Sequence, residues 1–183
     1  MKTLAAWIVL TAVTSAAAAP AARPRPRPRP KAGFEMLRIA LYHNDTVLQP
    51  RVASVDDLAR YMKAVQEACR ASLADVTAPG ALDVVVALKP GRRSRLWFIT
   101  STPVSPGAAR LSALQAQLLA IPAPEVRGGP VAFAIIGALG SVRRPNEAGN
   151  DLPPPVPAEW KAAAKNRKNV EAPDGMIALA WPD

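Results

Sequence analysis

Residues 82–88 read LDVVVAL, residues 89–92 read Lys-Pro-Gly-Arg, and residues 95–100 read RLWFIT. Two runs rich in β-branched and aromatic side chains around a Pro-Gly turn predict a β-hairpin. Downstream, residues 131–139 (VAFAIIGAL) are almost wholly apolar. That run is too short to span a bilayer and suits a buried central strand. Residues 36–42 (MLRIALY) alternate enough for a further short strand.

Two helices are expected between these strands. Ser54 precedes Val55-Asp56-Asp57, a cap followed by acids at the positive end of the helix dipole. The stripe Val55, Leu58, Met62, Val65, Cys69, Leu73 advances by three or four residues per step, so one face is buried. Ser105-Pro106 opens the second helix, with the stripe Leu111, Leu114, Leu118, Ile121, and Pro122 stops it. The expectation is an α+β fold: a small antiparallel sheet with helices at about 55–74 and 107–121 packed on one face.

The flanks are of another kind. Residues 1–19 start Met-Lys-Thr, continue through the apolar LAAWIVLTAV, and end in small residues suited to cleavage. This pattern predicts an export signal, with an uncleaved membrane anchor as the other reading. Residues 20–33 carry an Arg–Pro repeat, and alternating prolines enforce an extended polyproline-II rod. Residues 34–140 form the expected globular domain. Residues 141–183 hold a second Pro-rich stretch (DLPPPVP, 151–157), a basic segment (158–168) that reads as a short helix presenting Lys161, Lys165, Arg167 and Lys168, and a run, MIALAW (176–181), read as a last strand returning to the sheet.

The 183-residue chain has a formal charge of +9 and a pI of about 10.4. Such a balance draws anionic partners. Five of the cations are Arg23, Arg25, Arg27, Arg29 and Lys31; without these and Lys2 the remainder is about +3. A dedicated nucleic-acid domain is therefore not implied. Candidate contacts to an anionic lipid or polysaccharide surface are those five together with Arg92, Arg93 and Arg95 of the hairpin tip.

Catalytic chemistry finds little to work with. The single histidine, His43, excludes multi-histidine metal sites, and no cofactor motif is present. A Cys69–His43 pair oriented by Asp45 is conceivable. However, Cys69 faces the core by periodicity, and His43-Asn44-Asp45 reads as a solvated turn. A lone cysteine leaves only pairing between chains, and burial on the stripe disfavours that. No catalytic, cofactor-binding or metal-ligating residue is assigned.

The stretch 79–140 resembles the C-terminal domain of TonB-like proteins in its succession of pieces: LDVVVAL, KPGRR, RLWFITS, ARLSALQAQLLAIPAP and GGPVAFAII. An apolar N-terminal segment and a Pro-rich charged spacer before such a domain also match that family. The chain has Ala120-Ile121 where the family carries aromatics before the helix-ending proline, and its spacer is shorter. The resemblance implies the fold and a protein-contacting envelope module, with another envelope protein as partner; no binding residue carries over. The readings that follow are a non-enzymatic interaction module, a cationic binder of the envelope surface, or an unrecognised hydrolase.

Overall fold

The computed structural model describes residues 33–100, 106–140, 152–165, 167, 170 and 172–183. The export signal and the Arg–Pro tract, with Arg23, Arg25, Arg27, Arg29 and Lys31, lie outside the described residues. The elements in chain order are β1 (Phe34–Leu41), α1 (Asp45–Arg51), α2 (Val55–Ser72), β2 (Gly80–Lys89), β3 (Arg93–Thr100), α3 (Ala108–Leu119), β4 (Val131–Leu139), α4 (Ala158–Ala164) and α5 (Asp174–Ala180). The fold is α+β. Its sheet has the order β1-β4-β2-β3, with every neighbouring pair antiparallel.

The apolar runs at β2, interrupted only by the buried Asp83, and at β4 follow from their central position between two covered faces. Alternate residues separate to opposite sides. Leu82, Val84, Val86, Leu88, Val131, Phe133, Ile135 and Leu139 meet Leu58, Tyr61, Val65 and Cys69 of α2 and Leu114 and Leu118 of α3. Val85, Ala87, Ala132, Ala134 and Ile136 face the other way, against Trp160 of α4 and Ile177 of α5.

Side chains cap α1 and α2, whereas α3 does not open at Ser105-Pro106: it starts at Ala108 with Gly107 as N-cap and no side-chain cap bond. Ser54 Oγ accepts from the Asp57 amide at 3.2 Å, as the sequence predicts. Tyr61 rather than Val55 lies on the buried stripe of α2; Val55, in the first turn, is 69% exposed. Asn44, read from sequence as part of a turn, instead caps α1 by accepting from the Val47 amide at 3.1 Å.

The second face corrects the sequence reading of the C-terminal extension. Residues 174–180 are a helix, not a returning strand. Met, Ala and Leu favour helix, and a short apolar run does not distinguish the two states. The face bearing Val85 and Ile136 needs a cover, which a further strand at a sheet edge would not supply. Its alanines at 40, 87, 132 and 134 let the Trp160 ring approach closely.

Candidate functional site

The basic hairpin tip is held mainly by the end of α5 and the residues after it. Lys89, buried at the end of β2, donates to the Trp181 carbonyl at 2.5 Å and to Asp183 Oδ1 at 3.0 Å. Arg93 reaches the same Asp183 oxygen at 2.8 Å. Arg95 donates to the Ala180 carbonyl at 3.0 Å and lies over the Trp97 ring. Arg92 sits 3.6 Å from Glu125. Each of the three arginines assigned to an anionic surface thus already has an acceptor within the chain.

His43 does not sit in a solvated turn. It is 8% exposed, because β1 delivers it beneath α5, where Nε2 lies 2.7 Å from Asp174 Oδ1. Arg51, at the end of α1, grips both Asp174 oxygens at 2.9 and 2.7 Å and donates to the Pro130 carbonyl. A guanidinium forked on a carboxylate is a strong directional contact. The Cys69–His43 pair is not formed. Cys69 is fully buried in the α2 core, and burial pushes its thiol up to about 12. A thiol so placed is neither a nucleophile nor open to a disulfide with a second chain. His43 Nδ1 is buried without a hydrogen-bond partner, so the imidazole offers no solvent-facing base. This cluster clamps α5 to the sheet.

Burial alone would raise the Asp174 carboxyl, but hydrogen bonds from Arg51 and His43 outweigh it and hold the group below the usual carboxylate range. Hydrogen bonds from Lys89 and Arg93 likewise lower Asp183. A depressed folded-state pKa contributes stability above the unfolded value of about 3.9, and that contribution disappears as pH falls through the folded value. Acid unfolding followed by tryptophan fluorescence should therefore show stability falling below about pH 4. In Asp174→Asn the fall should be shallower, since one of the depressed carboxylates is gone. An identical acid slope in the variant would remove Asp174 from the clamp.

Among the described residues, β1 and β3 form the two edges of the sheet. The Tyr42 amide donates to the Ala132 carbonyl, so even-numbered residues of β4 bond to β1 and odd-numbered ones to β2. Through the registers Phe133↔Val86 and Val85↔Trp97, the odd residues of β3 bond to β2. Leu96 and Phe98 therefore turn their N–H and C=O outward. No described strand pairs with that side.

Along it runs a groove of about 290 Å³, lined by the four consecutive strand residues Arg95, Leu96, Trp97 and Phe98. Gln115 of α3 forms one wall, and Pro157, Ala158 and Glu159 at the start of α4 form the other. Trp97 is anchored edge-on against Trp160, with ring centroids 5.2 Å apart. The hairpin was legible in sequence, but the groove was not. Its second wall comes from residues about sixty positions away, which no local pattern links to β3.

Among the described residues, no group of three His, Cys, Asp or Glu side chains could hold a metal ion. No described helix is long and apolar enough to cross a membrane. Comparison with protein-family models, curated proteins and solved structures finds no match to this chain.

Proposed function

We propose that this protein is a non-catalytic interaction module of the cell envelope, which takes an extended segment of another envelope protein as a fifth strand on β3. The observation that carries this reading is the groove formed by Arg95–Phe98 between α3 and α4. An edge strand with outward amides supplies main-chain affinity, and flanking walls supply side-chain selectivity. Four features support the reading. The N-terminal sequence has the form of an export signal. The order strand–turn–strand–helix–strand over residues 80–139 suits the resemblance to TonB-like domains. His43 is engaged in a clamp, and the hairpin arginines are satisfied internally.

Amide hydrogen exchange on the full chain tests whether the edge is available. Leu96 and Phe98 should exchange at least about a hundredfold faster than Trp97 and Ile99, whose amides are locked in the ladder. Equal protection at all four positions would mean the edge is already filled, and the reading fails. Extended peptides selected from a random library should bind the wild-type chain and lose binding to Phe98→Pro. That substitution removes an outward N–H but no β2–β3 bond. Binding that persists at high salt separates a packed strand contact from attraction to the cationic tract. Sequencing the mature N-terminus and locating the protein by cell fraction tests export: a chain starting near Ala19 in soluble fractions fits a cleaved signal, and intact Met1 in the inner membrane fits an anchor.

A further inference from the structure

A second cleft, of about 520 Å³, opens at the hairpin end of the sheet between Lys89, Arg93, Gly129, Pro130, Asp174 and Asp183. Its floor holds a cation. The Lys89 side chain is only 7% exposed, and an ammonium so placed requires an anion beside it. Asp183 provides that anion. Both cationic contacts, 3.0 Å from Lys89 Nζ and 2.8 Å from Arg93, fall on one oxygen, Oδ1. Lys89 Nζ also donates to the Trp181 carbonyl at 2.5 Å, and the Trp181 ring lies 5.0 Å from Lys89 Nζ and 5.8 Å from the Arg93 guanidinium carbon.

The occupant is held less firmly than its site. The Asp183 side chain is 80% exposed and belongs to no helix or strand. The carboxylate on the opposite wall, Asp174, is forked on Arg51, and Arg92 is directed to Glu125. Among the described residues, Lys89 and Arg93 are the two cations lining this cleft.

We propose that Lys89 and Arg93 form a binding site for a single oxyanion, a carboxylate or a phosphate group, which Asp183 fills in cis. The site shares no residue with the β3 groove. A tethered carboxylate competes at an effective concentration on the order of millimolar. The apparent affinity for an external anion is reduced by the fraction of molecules whose site is filled, and displacing Asp183 exposes the pair.

The test titrates inorganic phosphate and acetate separately into the full chain at constant ionic strength, following the Trp181 indole signal by NMR. Asp183→Asn should bind one of the two anions, saturably and at one per chain, at least about tenfold more tightly than wild type, because the internal competitor is gone. Lys89→Met in that background should abolish binding. Because Lys89 is buried, Arg93→Gln, at a half-exposed position, is the second variant and should also weaken binding. Arg92→Gln should leave it unchanged. Preference for acetate assigns a carboxylate ligand, and preference for phosphate assigns a phosphate group. If Asp183→Asn binds neither anion more tightly than wild type, or Arg93→Gln leaves the affinity unaltered, the site does not exist.

Discussion

Trp160→Ala is expected to lower stability by about 3–5 kcal/mol, the usual cost of truncating a fully buried large aromatic. Trp160 is completely buried, edge-on to Trp97 at 5.2 Å and 5.4 Å from the Tyr42 ring. Its surroundings include the alanines at 40, 87, 132 and 134, which have no side-chain length with which to collapse into the space. The helix that carries it has only seven residues, too few to persist without tertiary contacts. Loss of the ring should therefore release α4 and α5 together. Urea titration followed by far-UV and near-UV circular dichroism measures the effect. Leu179→Ala, at a partly exposed position in α5, should change stability by less than about 0.5 kcal/mol. Equal midpoints for the two variants would show that the second core contributes little.

Gly140→Ala should be similarly costly, for a backbone reason. Gly140 follows β4 at φ +57°, in the left-handed region where a Cβ costs about 1–2 kcal/mol. A Cβ there would also lie 2.4 Å from the Thr77 carbonyl oxygen and 2.7 Å from that of Ala78. Those are main-chain atoms, which cannot rotate aside, and forced overpacking adds about 1–3 kcal/mol. The total expected loss is about 2–5 kcal/mol. Gly128→Ala separates the two contributions. It shares a positive φ of 67°, but nothing lies within 4 Å of its Cβ position. Only the conformational part should appear there, about 1–2 kcal/mol by chemical denaturation. Equal losses at the two glycines would show that the Gly140 contact relaxes freely.

Local patterns carried the first core. The β-branched runs at β2 and β4, the serine cap and stripe of α2, and the leucine stripe of α3 each lie within one continuous segment, so their periodicity reports their burial. The hairpin was legible for the same reason, through Pro90-Gly91 between two strand-like runs. The second core was not. Its sheet side consists of the residues interleaved with the first, and in an unbroken apolar run such as residues 131–139 nothing marks which face has the larger cover. Its helical side comes from 158–180, where MIALAW is short enough to fit either helix or strand. The candidate sites were less legible still. Arg93 and Arg95 read as contacts for an anionic surface because their acceptors within the chain, Asp183 and the Ala180 carbonyl, lie about ninety residues further on. His43 looked like a turn residue because Asp174 is 131 positions away.

By itself, then, the sequence determined the α+β class, the two central strands, the hairpin and the two helices that close the first face, because each is written in the spacing of neighbouring side chains. Only the tertiary structure decided that the extension folds back as α4 and α5, that His43 is a clamp, and that the hairpin cations meet a carboxylate of their own chain. Those outcomes depend on which surfaces remain uncovered once the sheet has formed, and on partners that come together only when the chain has closed on itself.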